Sequence, residues 1–363
     1  MSVKADDGEL PGVSTHVAKR HPLNIIAYDS GVHIHGSAPT RIDLAGGTLD
    51  IWPLYLFHEG AQTLNAAINL RASCDLRARS DRRVVIVSED GGGQRVEVEH
   101  WSELREGHDL RLLGRLLHFF QAEGVELHTR SDSPVGAGIA GSSALNIAVC
   151  GVLNAWAGGH RTADEIFQIA MNVEAQAIDV PTGAQDYRPA YFGGISAVEL
   201  GVSGVRRVPI NVHPQELQSH IALAYTNASR NSGINNWDVT KRHIDGDQQV
   251  RRSFARIRDI AAAMRAALER RDWSEVGRQI AAEWNNRKQL APGVTTPEID
   301  AMLAAAANAG SIGGKVCGAG GGGCLFTFGD PADVPAMRQA LAESGARVLD
   351  FAIDPRGLVI DTF

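Results

Sequence analysis

The glycine-rich segment Ser-Pro-Val-Gly-Ala-Gly-Ile-Ala-Gly-Ser-Ser, at residues 133–143, carries the strongest sequence signal in the chain. It follows a predicted strand at residues 125–130 and leads into residues 143–156, whose apolar side chains on almost every side predict a buried helix. Glycine permits positive φ angles and close approach of a ligand, while the start of a helix presents unpaired N–H groups and the positive end of its dipole. The stretch is a candidate phosphate-binding loop, and a plain turn into a helix is the alternative.

Three glycines of this stretch, Gly136, Gly138 and Gly141, also match the dinucleotide pattern G-x-G-x-x-G. That fold needs a carboxylate at the end of its second strand to bind the ribose, whereas Asp164 and Glu165 begin a predicted helix. An NAD-dependent oxidoreductase is therefore the weaker interpretation.

A second glycine cluster, Gly-Gly-Lys-Val-Cys-Gly-Ala-Gly-Gly-Gly-Gly-Cys, occupies residues 313–324. A strand follows it where a dinucleotide fold requires a helix, and Val316 after Gly314-Lys315 excludes a P-loop. So many glycines cost backbone entropy on folding. We expect this segment to pack closely on another backbone or on phosphate groups.

The third candidate segment is Pro-Thr-Gly-Ala-Gln-Asp, residues 181–186, which follows an amphipathic helix that carries Glu174. A single Asp in a turn is commonly a local cap, so Asp186 alone would be weak support for catalysis. The hydroxyls of Ser142 and Ser143 suit either helix capping or a Mg²⁺ ion on a triphosphate.

Composition limits the classes of function. The 363 residues carry 35 Lys and Arg against 42 Asp and Glu, a net charge of −7 that argues against a general nucleic-acid-binding surface. No apolar run approaches the length of a membrane-spanning helix, and the N-terminus lacks the apolar core of a signal peptide. We therefore expect a soluble, cytoplasmic protein that binds neither nucleic acid nor membrane. The His33-Ile34-His35 pair has no nearby carboxylate in the sequence, so a metal site is not expected there.

The order of predicted elements favours an α+β fold, because helices and strands mix without strict alternation. Residues 61–98 predict mostly short strands, and residues 239–284 predict a long helix interrupted near Asp272. We expect a polar tail over residues 1–22 and two domains, 23–205 and 206–363.

Taken together and in their order along the chain, the clusters resemble the motifs of the GHMP kinase family. This family includes galactokinase, homoserine kinase, mevalonate kinase and phosphomevalonate kinase. Residues 37–50 are similar to the first motif, 134–144 to the phosphate loop, 184–187 to the segment with the catalytic aspartate, and 314–324 to the C-terminal glycine motif. Within the family the chain is most similar to the D-glycero-D-manno-heptose 7-phosphate kinase-like sugar kinases. One departure is Ala140, which stands where the family has glycine, unless one residue is inserted.

The resemblance implies a two-domain GHMP kinase fold, with an N-terminal domain like ribosomal protein S5 domain 2 and a ferredoxin-like C-terminal domain. It also implies an ATP-dependent kinase that uses Mg²⁺ and phosphorylates a hydroxyl, with the anomeric one favoured, of a sugar or sugar phosphate. Asp186 would accept the proton of the attacking hydroxyl, and Arg41 would orient Asp186 and stabilise charge on the γ-phosphoryl group. Glu174 would hold Mg²⁺ with Ser143 or Ser142.

The remaining site residues implied by the resemblance fall into two sets. Asp50, Gly46 and Gly47, together with Asp186, would contact the sugar. The positions assigned to ATP are Pro134, Gly136, Ala137, Gly138, Gly141, Ser142, Ser143, Gly318, Gly320 and Gly321.

Other acceptors within the family, namely galactose, fucose, mevalonate and homoserine, stay open as alternatives, and so does a non-catalytic sugar- and nucleotide-binding regulator of the same fold. The combination of Asp186, Glu174 and Arg41 disfavours the regulator, since a binding module needs no proton acceptor. The expected partner is a small molecule, and the oligomeric state, a homodimer included, stays open.

Overall fold

The structure is a computed structural model, and it describes residues 31–107, 109–229 and 233–363. The predicted polar tail, residues 1–22, lies outside the described residues. The strands are β1 (His33–Ala45), β2 (Gln62–Ala78), β3 (Val84–Ser88), β4 (Gln94–Val98), β5 (Val125–Ser131), β6 (Ile195–Gly201), β7 (Gly204–Pro209), β8 (Ile221–Tyr225), β9 (Ser311–Val316), β10 (Cys324–Gly329), β11 (Arg347–Leu349) and β12 (Val359–Thr362).

Helices alternate irregularly with these strands. They are α1 (Arg111–Phe120), α2 (Gly141–Trp156), α3 (Ala163–Ile178), α4 (Tyr187–Phe192), α5 (Pro214–Gln218), α6 (Gly233–Ile244), α7 (Gln248–Arg270), α8 (Trp273–Arg287), α9 (Pro297–Asn308) and α10 (Val334–Glu343).

Two mixed layers of sheet and helix result. The first sheet has the order β12-β1-β2-β5-β3-β4, with β6 beside β2 and β7 beside β6, and only its β3–β5 pair is parallel among the described strands. The second sheet is antiparallel, with the order β11-β8-β10-β9. The predicted α+β fold is confirmed.

Three hydrophobic cores are present among the described residues, and two of them account for the position of the candidate site. One lies between the first sheet and helices α1 to α3, and the apolar residues of α2 are buried in it as the sequence predicts. The other joins the ends of β1 and β2, through residues such as Ile42 and Leu64, to Met264 of α7 and Phe326 of β10. The second core packs the two sheets together, and the candidate site lies near their junction.

Local signals explain several element boundaries. Thr162 caps α3 through a capping box with Glu165, as the sequence pattern T-x-x-E predicts. The interruption expected near Asp272 is confirmed, because Asp272 caps α8. A second break before Asp247, which caps α7, was not predicted. The expectation of short strands is wrong for β2, which has 17 residues. One end of β2 pairs with β6 and the other end pairs with β5.

The strand pairing differs from the predicted domain division at two places. A boundary between residues 205 and 206 cuts through β7, which hydrogen-bonds to β6 of the first sheet. The predicted second domain also includes β12, which pairs with β1. The first sheet therefore includes β7 and β12, since strand pairing and not sequence position defines the sheet, and the division into two domains stays a prediction.

Candidate active site

The loop between β5 and α2 has the backbone of a phosphate-binding loop. Gly136, Gly138 and Ala140 have φ angles of 69°, 74° and 63°. The carbonyl of Ala140 accepts the first helical hydrogen bond of α2, from the N–H of Ala144 at 2.9 Å. An alanine in this left-handed conformation costs about 1–2 kcal/mol relative to a right-handed one. Ala140 therefore adopts, at this cost in energy, the left-handed conformation that glycine usually provides at such a position.

Two cavities meet beside this loop. The first cavity is lined by the loop itself, including Pro134, Gly136, Ala137, Gly138, Gly141, Ser142 and Ser143. The second cavity is lined by residues of several distant segments, among them Thr48, Asp50, Gly183, Gln185, Arg287 and Gly318. Four residues, Arg41, Ser143, Glu174 and Asp186, line both cavities. A group bound in one cavity can therefore meet a group bound in the other at these four side chains.

Arg41 connects the loop to Asp186. Its Nε and Nη2 lie 2.9 and 2.7 Å from Oδ1 of Asp186, and its Nη1 donates to the carbonyl of Gly138 at 3.0 Å. Its backbone N–H donates to the carbonyl of Ile139 at 2.9 Å. Burial opposes the charge of Arg41, but the carboxylates of Asp186 and Asp43 outweigh that effect and raise its pKa. The guanidinium is therefore a fixed positive charge at the junction of the two cavities.

Glu174 lies on α3 and is buried beneath the start of α2. Its Oε1 accepts from the Ser142 hydroxyl at 2.9 Å, and its Oε2 accepts from the hydroxyls of Ser143 and Tyr187 at 3.1 and 2.9 Å. Burial raises the pKa of Glu174, and the hydrogen bonds from Tyr187 and the serines oppose that rise. The contact with Tyr187 was not predicted from the sequence.

Asn146 Nδ2 also donates to Oε2 of Glu174 at 3.4 Å, but Glu174 and the hydroxyls of Ser142 and Ser143 offer the oxygen ligands that Mg²⁺ prefers. Within the described residues no group of three or more His, Cys, Asp and Glu has a metal-binding arrangement. One carboxylate with hydroxyl groups still fits Mg²⁺, because this ion in phosphoryl-transfer sites keeps waters and takes further ligands from substrate phosphates. The side chains of Ser142 and Ser143 both reach Glu174, so the geometry allows either serine.

Asp50 lies in the wall of the second cavity and is almost fully buried. Its Oδ2 accepts from the backbone N–H of Gln185 at 2.9 Å, and a Cβ on Gly183 would lie only 2.0 Å from that oxygen. Gly183 is therefore required for the close approach of the two segments. Burial, together with the nearby charge of Asp186, raises the pKa of Asp50 to about 7.

A buried group of four charges lies behind the second cavity. Lys315 Nζ is 2.9 Å from Glu283 Oε1 and 3.4 Å from Asp43 Oδ2, and Arg287 Nη1 is 3.5 and 3.6 Å from the same two oxygens. Burial opposes the ionised form of Asp43, but Lys315, Arg287 and Arg41 outweigh it and lower its pKa. The four side chains come from β1, α8 and β9, so sequence spacing gave no signal that they meet.

Gly46 and Gly47, expected to contact the sugar, lie against this charged group. The N–H of Gly46 donates to Oε2 of Glu283 at 3.0 Å, and a Cβ on Gly47 would lie 2.3 Å from Oδ2 of Asp43. Thr48, the residue that follows the two glycines, lines the second cavity, and the glycines themselves do not. The two glycines thus allow the first motif to pack, and contact with a sugar stays a prediction for them.

The second glycine cluster packs on the backbone of the first. The N–H of Cys324 donates to the carbonyl of Ala137 at 2.6 Å. Gly323 has a φ of 81°, and a Cβ there would lie 2.6 Å from the same carbonyl oxygen. Close packing on another backbone, one of the two expected reasons for so many glycines, is therefore present in the structure.

Three further glycines of this cluster were predicted to bind ATP. Gly318 lines the second cavity, and its carbonyl accepts from Arg287 Nη2 at 2.7 Å. Gly320 and Gly321 lie instead against the backbone carbonyls of Val294 and Gly293. Their contact with ATP stays a prediction.

Two other expectations concern regions outside the cavities. Asp75 Oδ1 lies 2.7 Å from His33 Nε2 and 3.1 Å from His35 Nδ1, so the carboxylate that the neighbouring sequence lacks comes from β2, and the absence of a metal there stays a prediction. The β1–β2 register brings Asp75 opposite His35. In the part of the chain that the structure covers, no helix is long and apolar enough to cross a membrane.

Comparison with known protein families gives two matches. The model for the GHMP kinases N terminal domain matches residues 110–194, and the model for the GHMP kinases C terminal domain matches residues 264–347. The first range includes the 133–143 loop, Glu174 and Asp186, and the second includes the second glycine cluster.

Individual proteins are similar over most of the chain. D-glycero-alpha-D-manno-heptose 7-phosphate kinase of Campylobacter jejuni is 29% identical over 339 residues, which cover 90% of this chain and 98% of the relative. The crystal structure of a D-glycero-D-manno-heptose 1-phosphate kinase from Bacteroides thetaiotaomicron aligns with a TM-score of 0.73 at 23% identity, covering 91% of this chain and 99% of the other. Galactokinase of Lactococcus lactis, complexed with galactose, aligns with a TM-score of 0.75 at 19% identity, covering 91% and 96%. At these identities the two structures support the fold alone.

Proposed function

Because the chain belongs to the GHMP kinase family, whose members use ATP as phosphate donor, we propose that it transfers the γ-phosphoryl group of ATP to a hydroxyl of a sugar phosphate. The proposed acceptor is D-glycero-D-manno-heptose 7-phosphate or a close relative, and the proposed hydroxyl is the anomeric one. Support for this acceptor comes from the relative that is 29% identical over 90% of the chain.

The observation that carries the proposal is the shared wall of the two cavities. Phosphoryl transfer requires a donor and an acceptor in line, with charge neutralised where they meet. Arg41, Ser143, Glu174 and Asp186 line both cavities, so they would lie between a nucleotide at the 133–143 loop and an acceptor in the second cavity.

The loop and the start of α2 would hold the phosphates of ATP. Gly136 and Gly138 have positive φ angles, which turn the backbone so that ligand groups can approach closely. The first N–H groups of α2 have no intrahelical acceptor and favour a bound anion. With a net charge of −7 over the whole chain, the attraction of an anionic substrate depends on such local groups and on Arg41.

Glu174, with Ser143 or Ser142, would hold Mg²⁺. When bound, this ion would neutralise charge on the donor phosphates. The hydroxyls of Tyr187, Ser142 and Ser143 donate hydrogen bonds to the two carboxylate oxygens of Glu174 and so fix the orientation of its side chain.

Asp186 would take the proton of the acceptor hydroxyl. Arg41 fixes the carboxylate through Oδ1 and adds positive charge beside the transferred group. In the second cavity, Asp50 would accept hydrogen bonds from the hydroxyls of the acceptor when it is ionised and could donate one when it is protonated. Its pKa of about 7 allows both protonation states.

The test is a measurement of ADP release with a panel of acceptors at fixed ATP and Mg²⁺. The panel contains D-glycero-D-manno-heptose 7-phosphate, the free heptose, galactose, fucose, mevalonate and homoserine. We expect the heptose 7-phosphate to give the highest kcat/KM, and ³¹P NMR of its product to show a new phosphate at the anomeric carbon. A preference for mevalonate, homoserine or an unphosphorylated sugar would reject the proposed acceptor, and no ADP release with any acceptor would reject the kinase.

A further inference from the structure

Gln185 is a buried polar residue of the second cavity, and its side-chain amide oxygen has no hydrogen-bond partner among the described residues. The residue is only 5% exposed, and its Oε1 is shielded from solvent. A buried amide oxygen in this state is unfavourable unless something else pairs with it. The position of Gln185 in the cavity wall points to a bound molecule as the missing partner.

The backbone of Gln185 is fixed by Asp50 on one side. The N–H of Gln185 donates to Asp50 Oδ2 at 2.9 Å, and the N–H of Ala184 donates to the Asp50 carbonyl at 3.2 Å. On the other side Asp186 follows directly in the sequence and is held by Arg41. Gln185 therefore stands between the carboxylate proposed to accept the proton and a second carboxylate in the same wall.

We propose that Gln185 is a specificity-determining residue, whose amide hydrogen-bonds a hydroxyl of the acceptor that does not react. This inference rests on the proposed function and deepens it. A primary amide both donates and accepts, as a hydroxyl does, so the two groups can satisfy each other. An acceptor without that hydroxyl leaves the buried amide unpaired, and a site built on hydrogen bonds rejects such a molecule strongly.

The chemistry selects a polyhydroxylated acceptor. Asp50 and Gln185 together offer two polar groups in one wall, which suits a sugar ring with several hydroxyls. A small alcohol with one hydroxyl would use that hydroxyl for the reaction and leave Gln185 without a partner. Gln185 therefore adds to the reasons for a sugar over homoserine, whose single hydroxyl is the one that would react.

The experiment compares wild type, Gln185→Leu and the exposed control Gln215→Leu, which keeps the same change of side chain outside the cavities. Each protein is assayed with D-glycero-D-manno-heptose 7-phosphate and with its 2-, 3-, 4- and 6-deoxy derivatives. In wild type and in the control we expect one deoxy derivative to lose about tenfold to hundredfold in kcat/KM through the unpaired amide. In Gln185→Leu the parent sugar should lose a similar factor, and discrimination at that one position should fall to near unity.

A second measurement covers a variant that folds poorly or turns over slowly. Gln185→Met keeps the length of the side chain but removes both the acceptor oxygen and the N–H donors of the amide, and calorimetry gives the Kd of the parent and deoxy sugars for each folded protein without nucleotide. Loss of discrimination in Kd at the same single position supports the inference. Discrimination that is unchanged in both variants, with active wild type, overturns the role of Gln185 alone. A wild type that phosphorylates none of these sugars overturns the proposed function, and this inference falls with it.

Discussion

Two nitrogens of Arg41, Nε and Nη2, converge on one oxygen of Asp186, Oδ1, at 2.9 and 2.7 Å. Within the described residues, no group hydrogen-bonds to the other carboxylate oxygen, Oδ2. The Asp186 side chain is 23% exposed and lies where the two cavities meet. One oxygen therefore fixes the carboxylate in place, and the other is available to a bound acceptor.

Asp186→Asn should lower kcat by roughly a thousandfold or more, because an amide cannot take the proton of the acceptor hydroxyl. The affinity for ATP should stay close to that of wild type, since the 133–143 loop is unchanged. Steady-state kinetics and binding of a non-hydrolysable ATP analogue check both statements. The control Asp350→Asn removes an exposed carboxylate with an almost fully exposed side chain. Near-normal kcat in Asp186→Asn would remove the proposed base.

Glu174→Gln should raise the Mg²⁺ concentration for half-maximal activity by about tenfold or more, because it replaces the charged oxygen donor proposed for the metal. A Mg²⁺ titration at saturating ATP measures this. Asp164→Asn is the control, since Asp164 is an exposed acidic residue in the first turn of the same helix. A Mg²⁺ titration identical to that of wild type would show that Glu174 does not contribute to metal binding.

The raised pKa of Asp50 predicts a pH dependence of stability. Between the unfolded-state pKa near 4 and the folded-state pKa of about 7, the unfolded protein has lost the proton that the folded protein keeps. The free energy of unfolding of wild type should therefore fall with rising pH, by up to about 1.4 kcal/mol per pH unit relative to Asp50→Asn, and level off above pH 7. Urea denaturation of both proteins from pH 4 to 8 gives the difference. A difference that is constant with pH would contradict the burial of Asp50.

Lys315→Met should lower the free energy of unfolding by about 3–5 kcal/mol, because it leaves Asp43 and Glu283 buried with Arg287 as the remaining contact cation of the group. Lys241→Met, which removes the exposed pair with Asp245, should change it by at most about 1 kcal/mol. Chemical denaturation of both variants checks the contrast. Equal effects of the two substitutions would mean that the buried charges do not hold the site's segments together.

Gly323→Ala should destabilise the protein more than Gly345→Ala, although both residues have positive φ angles, 81° and 89°. At Gly345 nothing lies within 4 Å of the added Cβ, so only the backbone strain of about 1 kcal/mol applies. At Gly323 the Cβ would meet the Ala137 carbonyl at 2.6 Å, which should add about 1–3 kcal/mol of steric cost and raise the KM for ATP. Thermal unfolding and ATP kinetics of both variants separate strain from contact.

Sequence predicted best what depends on local chemistry. The helix after the loop, the capping box at Thr162 and the break at Asp272 follow from residues that lie close together in the chain. Similarity of motifs brought Arg41, Glu174 and Asp186 into one hypothesis, and the structure places all three on the shared wall of the two cavities.

Sequence could not predict what depends on long-range pairing. The buried charges of Asp43, Glu283, Arg287 and Lys315 come from three elements, and no spacing rule links them. Asp75 reaches His35 only through the register of a long hairpin. The free capacity of the Gln185 amide depends on which groups surround it, which a linear sequence does not state.

The pairing of β12 with β1 has a consequence for the synthesis of the protein. During translation β1 is synthesised first of the twelve strands and β12 last. The edge of β1 that pairs with β12 therefore stays unpaired until nearly all of the described chain has been translated. Such a contact between distant parts of the sequence is slow to form, because a large loop must close first. The first sheet therefore gains this edge strand only after all strands of the second sheet have been translated, and an incomplete translation product would present an unpaired β1 edge to other chains.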